Sequence, residues 1–277
     1  MEGYLVLIAS IAFFAFLLPG SRNQYYAILG WTGITAYLFS QLPVYFAENN
    51  FIYPAITLLS LPFLAITIKH LRARNGTVMQ LSRAAAIAFL IFAPFAYIGP
   101  PGDLLISAVI GQVAWVLTAL SFPVELVAWN TVMHDAFRVE IILACTGIQS
   151  IAIMLGVAGA VPTTTRQKVA AFLLVVPVIY ILNIFRNVFV IMGYTGQWFP
   201  FLPEIASNGE YGYESFFWAH NVICELLALG ILIGIAYAMF LLIPALGEFA
   251  DDLISVYRDE IRIAFDRGRQ SAGLRKD

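Results

Sequence analysis

Three side chains capable of covalent or proton-transfer chemistry lie inside apolar stretches of this chain, where such groups are rare. They are the thiol of Cys145, the guanidinium of Arg186 and the imidazole of His220. A thiol attacks as its thiolate, which a nearby cation or base favours, as does the positive end of a helix dipole if the cysteine occupies a first turn. A guanidinium can stabilise the oxyanion of an attacked amide, and an imidazole can protonate the leaving amine. Together the three groups predict cysteine-based cleavage of a peptide bond.

The three groups share one depth in the predicted spans. Cys145 lies four residues from the outer start of its apolar run, Arg186 lies six residues from the outer end of the next, and His220 lies four from the outer start of the following one. At about 1.5 Å of rise per residue, each is roughly 6–9 Å below the outer surface. Because ionisable groups within a membrane usually face a polar cavity, we expect a polar pocket near the outer face.

Amide side chains accompany these groups at helical spacing. Two share a helical face with Arg186, a third lies one turn after Cys145, and a fourth directly follows His220. Side chains three or four positions apart on a helix are neighbours, so these amides are predicted to bind substrate or to hold the catalytic groups. In chain order they are Gln149, Asn183, Asn187 and Asn221.

Two other assignments of the nucleophile and the base are open at this point. Cys224 lies one turn after His220, so these two residues form a rival pair of nucleophile and base. His134, eleven residues before Cys145, is a second candidate for the base. A cysteine in an apolar helix usually packs as a small hydrophobic residue, however, and a histidine on an exposed hairpin is usually only solvated.

The composition requires a membrane as the solvent for most of the chain. Of 277 residues, 61% are hydrophobic and 12% charged, whereas an ordinary soluble domain is about 25% charged. The net charge of −2 provides no basic field for nucleic acid. No spacing of ligand residues typical of a metal site occurs, so neither a metal nor an organic cofactor is expected. The two cysteines do not form the pattern of a disulfide framework.

Eight apolar runs are long enough to be considered as spans. Basic residues after the first run, at 69–83, at 162–168 and in the tail mark cytoplasmic segments. The chain must cross the membrane an even number of times between the second and third of these segments, yet three runs lie there. We assign 104–121 to the outer leaflet as an interfacial or re-entrant helix, because a Pro-Pro-Gly-Asp turn precedes it; the alternative is that 84–99 dips in and returns. The runs are 4–19, 24–42, 51–68, 84–99, 104–121, 141–161, 168–192 and 216–243.

The predicted fold class is therefore an all-α polytopic membrane protein with about seven transmembrane helices, its N terminus outside and its C terminus inside. We expect a single integral membrane domain over 1–277, with the catalytic region at about 100–243. Loose alternation at 124–141 predicts a small β-hairpin outside the membrane. Glycines, prolines and aromatic residues at 193–215 predict an ordered loop, and the amphipathic tail from 245 predicts a cytoplasmic helix on the inner surface.

Three short motifs around the chemical groups carry a family resemblance. They are ACTGIQS at 144–150, RNVF at 186–189 and AHN at 219–221. In combination they resemble the exosortase and archaeosortase family of polytopic membrane cysteine transpeptidases, over about residues 140–225.

The resemblance implies a sortase-like reaction at the extracytoplasmic side of the cell membrane. The substrates would be secreted or S-layer-type surface proteins whose C-terminal sorting signal has a Pro-Gly-Phe type motif, a transmembrane helix and a basic tail. By position, Cys145 would form a thioester, Arg186 would hold the oxyanion or the thiolate, and His220 would act as acid and base. The acceptor would be an amine, with a membrane lipid headgroup implied, so that the new C terminus becomes lipid-anchored.

Two other functions fit the same residues. An intramembrane cysteine protease would hydrolyse the thioester without transfer. A small transporter would instead use Arg186 and His220 to bind an anionic substrate within the membrane, and would need no thiol.

Overall fold

Helices make up most of the chain, as the apolar runs predict. A computed structural model describes residues 2–47 and 52–273. A 3-10 turn occupies Leu143–Thr146, and a π-helical segment occupies Phe217–Cys224. The helices are α1 (Glu2–Leu17), α2 (Asn23–Ser40), α3 (Leu42–Ala47), α4 (Ile52–Arg72), α5 (Gly76–Tyr97), α6 (Gly99–Ala119), α7 (Ile148–Ala160), α8 (Thr165–Thr195), α9 (Pro203–Ala206), α10 (Tyr213–Phe216), α11 (Glu225–Leu242) and α12 (Ala245–Gly273).

Five helical stretches in the described part of the chain are long and apolar enough to cross a membrane. They comprise α4, α5, α6, α8 and the continuous helix Tyr213–Leu242, while Tyr4–Leu17 and Ile148–Ala160 are apolar but shorter. The chain is thus a multi-pass membrane protein, as predicted. Of the about seven expected spans, 4–19 and 141–161 fold as these shorter helices and 24–42 folds as α2, which is not among the five. The run 104–121, which was not expected to span, accounts for one of the five.

The run at 104–121 folds as α6, which is itself of spanning length. The two prolines expected to form a turn before it lie instead in its first turn. A proline is tolerated there because the first N–H groups of a helix have no intrahelical acceptor to lose. The outer-leaflet position of this segment stays a prediction.

The predicted extracytoplasmic hairpin is a sheet with one more strand. Its three strands are antiparallel and pair in chain order. Asp135 adopts a left-handed backbone conformation, which permits the tight turn between the second and third strands. Val132 and Val139 pair across these strands and are buried, so one face of the sheet packs inward. The strands are β1 (Glu125–Ala128), β2 (Thr131–His134) and β3 (Phe137–Glu140).

The chain divides into two compact units. One comprises residues 1–90, 156–163 and 243–277, and the other comprises 91–155 and 164–242. The core of the second unit combines the buried face of α6 with α8 and the sheet, and every predicted site residue belongs to this unit. Its buried members include Val109, Val113, Leu117, Val132, Ile184, Val188 and Ile191.

Within the first unit, the predicted tail helix is present as α12 and packs along α4. The Tyr257 ring stacks on Phe63 with centroids 5.0 Å apart, and its hydroxyl lies 2.6 Å from that of Thr67. Lys69 donates to the Glu260 carboxylate at 2.6 Å, and His70 pairs with the same group at 3.0 Å. Arg275 and Lys276, counted in the basic tail, lie outside the described residues.

The contact between α4 and α12 is expected to depend on pH. The hydrogen bond from Lys69, together with that of His70, holds the pKa of Glu260 below its ordinary value. A carboxylate with a lowered folded pKa stabilises the fold above its unfolded pKa, and this contribution is lost as the pH falls through the lowered value. Glu260→Gln should therefore reduce the fall in melting temperature between about pH 7 and about pH 3, measured in detergent. The matched control is Asp259→Asn, at an exposed neighbour that pairs with Arg258. An unchanged pH dependence in Glu260→Gln would contradict the assignment.

Candidate active site

The face of α8 that carries Asn183, Arg186 and Asn187 organises the site. This helix has 31 residues and starts with a capping box, in which the Thr164 and Gln167 side chains satisfy each other's backbone N–H groups. Spacing of three and four residues places the two amides and the guanidinium together on one side. Asn187 is buried, whereas Asn183 and Arg186 are half-buried and line a cavity.

The amides of this face hold the backbone at Cys145. Asn183 Nδ2 and Asn187 Nδ2 both donate to the carbonyl oxygen of Cys145, at 2.6 and 2.8 Å. A carbonyl oxygen has two lone pairs, so these two bonds satisfy it completely. The half-buried Cys145 also packs against the core formed by α6, α8 and the sheet. Its backbone position is therefore set by α8, although the two segments are about 40 residues apart in the chain.

Contrary to the expectation from the sequence, Cys145 does not occupy the first turn of a helix. It lies in the 3-10 turn, and α7 begins only at Ile148. Gly147 ends the turn with φ of 80°, a left-handed conformation that glycine adopts without strain. A Cβ atom on Gly147 would also lie 3.3 Å from Asn183 Cγ, so the glycine allows the turn to approach α8.

Arg186 and His220 are in direct contact. Arg186 Nη2 donates to His220 Nε2 at 3.0 Å, because a guanidinium has no acceptor. Nε2 therefore carries no proton, and Nδ1 donates to Asn221 Oδ1 at 2.7 Å. The imidazole in this arrangement is neutral, with the tautomer set by Asn221 and with the Nε2 lone pair directed at the guanidinium.

A series of aromatic rings connects the imidazole to the sheet. Phe216 stacks on His220 with centroids 4.8 Å apart and planes 14° apart. Phe216 meets Tyr194 edge-on, and Tyr194 meets Phe137 of β3 in the same way. Phe216 is a site residue that the sequence analysis missed, although its position four residues before His220 on an apolar run was a usable signal.

His220 lies in the π-helical segment, which packs closely against α8. A Cβ atom on Gly193 would lie 3.1 Å from the Phe199 ring and 3.2 Å from Ala219 Cβ, so glycine permits this close approach without displacing either neighbour. π-Helical turns are rare and occur often at functional sites.

The segment predicted as an ordered loop at 193–215 is tied down by hydrogen bonds. Trp218 Nε1 donates to the carbonyl of Phe201 at 2.8 Å, and Gln197 Nε2 donates to the carbonyl of Gly212 at 3.1 Å. The Phe199 N–H donates to Ser215 Oγ at 3.2 Å. The segment therefore holds the start of the π-helical segment next to the end of α8.

The other candidates named from the sequence are Gln149, His134 and Cys224. Gln149 is exposed on α7, and no hydrogen bond links it to the site in the described part of the chain. His134, at the end of β2, bonds to the carbonyl of Pro123, and its ring lies tilted against that of Phe122. Cys224 is buried and lines the cavity together with Arg186. Over the described ranges 2–47 and 52–273, no cluster of three or more His, Cys, Asp or Glu side chains could hold a metal ion.

Comparisons with known proteins find membrane enzymes. A family model described as transmembrane exosortase matches residues 2–202. The chain is 29% identical to Archaeosortase A of Natronomonas pharaonis over 239 residues, which is 79% of this chain and 75% of that protein. It is 30% identical to Archaeosortase A of Haloferax volcanii over 206 residues, or 65% of this chain and 68% of that protein. No solved structure matches the chain.

The two amides that hold the Cys145 carbonyl should behave non-additively. Asn183→Ala and Asn187→Ala each leave the carbonyl one partner, so each should lower the free energy of unfolding by about 0.5–1.5 kcal/mol. The double variant removes both partners of a carbonyl in the protein interior, so its cost should exceed the sum of the single costs by about 1 kcal/mol or more. Urea unfolding in detergent provides the measurement, with Gln149→Ala as the control on an exposed amide. Strict additivity would contradict the shared acceptor.

Proposed function

Because this chain belongs to the transmembrane exosortase family, we propose that it is a sortase-like cysteine transpeptidase. Its substrates are C-terminal sorting signals of secreted or surface proteins, with a Pro-Gly-Phe type motif before a transmembrane helix. The observation that carries the proposal is the single face of α8, which binds the backbone of Cys145 through two amides and the imidazole of His220 through Arg186.

In the first half of the reaction, Cys145 is the nucleophile. Its thiol proton passes to Nε2 of the neutral His220, and the thiolate attacks the carbonyl carbon of the substrate peptide bond. Arg186, which then no longer donates to Nε2, stabilises the oxyanion. The C–N bond breaks, the imidazolium proton passes to the leaving amine, and a thioester on Cys145 remains.

In the second half, an amine resolves the thioester. The imidazole accepts a proton from the incoming amine as its nitrogen attacks, a new amide bond forms, and the thiol of Cys145 is regenerated with that proton. Transfer requires that water be kept from the thioester. The aromatic series from Phe137 to Phe216 and the sheet beside it support this role, because they cover the imidazole with apolar surface.

The acceptor we propose is the amino group of a membrane lipid headgroup, which leaves the processed protein anchored to the outer face. Water in place of the amine would make the protein a protease. Mass spectrometry of the new C terminus separates these outcomes, because hydrolysis leaves a free carboxylate and transfer leaves an amide.

Replacing the nucleophile should abolish processing. Cys145→Ser should lower the rate of precursor cleavage by about 10³-fold or more, because the serine hydroxyl is far less acidic than the thiol. The rate is measured on a purified precursor in vesicles, with hydroxylamine added to trap the wild-type thioester as a hydroxamate. Cys224→Ser tests the rival nucleophile and should still cleave the precursor and yield the hydroxamate, because neither step needs a second thiol or a bound lipid. Normal processing by Cys145→Ser, or its loss in Cys224→Ser alone, would overturn the assignment of the nucleophile.

The shape of the Arg186 side chain should matter as well as its charge. Arg186→Lys keeps the positive charge but removes the planar group that contacts His220, so kcat should fall by about 10²–10³-fold with a smaller change in KM. The same precursor assay provides both constants. Arg138→Lys, at an exposed position on β3, is the matched control. A change in KM alone would assign Arg186 to substrate binding.

A further inference from the structure

A narrow apolar slot runs along α8 and α11, beside the arginine–histidine pair. It is a cavity of about 300 Å³. Its polar lining comes from Ser150, Asn183 and Arg186, together with the thiol of Cys224. The rest of the wall is hydrocarbon, contributed mainly by Ile179, Leu182, Leu227, Ala228, Ile231 and Leu232.

The dimensions of the slot fit one hydrocarbon chain. Its lining on α8 extends from Ile179 to Phe189, which is about 15 Å at a rise of about 1.5 Å per residue. A volume of about 300 Å³ lies at the lower end of the range of about 300–1,000 Å³ that is typical of ligand pockets, so the slot suits one slender ligand.

The slot opens on the outer surface of the two helices that flank it. Three of its lining side chains are substantially exposed, namely Leu182 at 37%, Phe185 at 56% and Leu227 at 61%. Both flanking helices are of spanning length, so these side chains face the hydrocarbon of the bilayer. A lipid chain can thus enter laterally without passing through water.

The positive charge of Arg186 at the slot favours binding of an anionic group. Among the residues that the structure describes, no carboxylate forms an ion pair with Arg186, and its hydrogen-bond partner is the neutral His220. A guanidinium has five N–H donors and binds phosphate through two parallel hydrogen bonds. A cation without a counter-charge is costly inside a membrane, so an anionic group beside it is favoured.

We propose that this slot is the binding site for one hydrocarbon chain of a membrane phospholipid, whose phosphate lies at Arg186. The catalytic role of this lipid rests on the proposed function. The bound lipid is the acceptor, and the slot holds its headgroup amine beside the Cys145 thioester. Chain and phosphate together position the nucleophile for the second half of the reaction.

The binding test uses a phospholipid as the probe. Phosphatidylethanolamine with a diazirine in one acyl chain is placed in phosphatidylcholine vesicles with the full-length protein, and the cross-linked residues are mapped by mass spectrometry. Cross-links should concentrate at 179–189 and 223–232. Ala228→Phe fills the slot and should lower this labelling about tenfold or more, and Leu232→Phe should act in the same way. Leu229→Phe, on the same helix but outside the lining, is the matched control and should label normally.

The catalytic test compares two acceptors on the same thioester. With the precursor present, Ala228→Phe should lower the ratio of lipid-linked product to hydroxamate about tenfold. Absence of hydroxamate in the wild type would refute the proposed function, whereas the cross-linking would still test the slot. Uniform labelling of the lipid-facing helices, or labelling unaffected by Ala228→Phe and Leu232→Phe, would overturn the slot. An equal fall in the lipid-linked product and in the hydroxamate would show that the slot binds the precursor, and this result would also overturn the proposal.

Discussion

The carbonyl oxygen of Cys145 is the acceptor on which the geometry of the site depends. Its turn has neither the length nor the regular hydrogen bonds to fix a side chain on its own. Asn183 and Asn187 supply the missing constraint, and they do so from the helix that also carries Arg186. One rigid element thus sets the position of a thiol-bearing turn and of an imidazole from a third segment. Sites built on helices are held more closely than sites built on loops.

The position of Cys145 and His220 depends in turn on how α8 is packed. The buried side of α8 packs against α6 and the sheet through Ile184, Val188 and Ile191, which alternate with the polar positions along the helix. The same helix therefore has an apolar side that anchors it and a polar side that faces the site. Gly193 extends this arrangement by letting the π-helical segment come within contact of α8.

Helical periodicity predicted much of this from the sequence. The amides next to Arg186 were identified from spacing alone, because α8 is a regular helix where spacing predicts neighbours reliably. Treating 141–161 as one helix predicted a shared helical face for Cys145 and Gln149, which the structure does not have. The left-handed Gly147 separates the 3-10 turn that carries Cys145 from α7, where Gln149 is exposed, and the role of Gln149 in substrate binding stays a prediction. The third strand was missed because the turn at Asp135 depends on a non-glycine residue in a left-handed conformation, which sequence signals mark weakly.

The π-helical segment has a consequence for how this region can change during evolution. A π-helical turn holds one residue more than an α-helical turn, which changes the direction of the side chains that follow it. The aromatic side of α10 and the lipid side of α11 therefore do not follow one α-helical periodicity. Deleting a single position there would restore ordinary winding and remove the wide turn that carries His220. Point substitutions keep this turn, whereas a change in the length of the eight residues Phe217–Cys224 would not, so this region can vary in sequence more easily than in length.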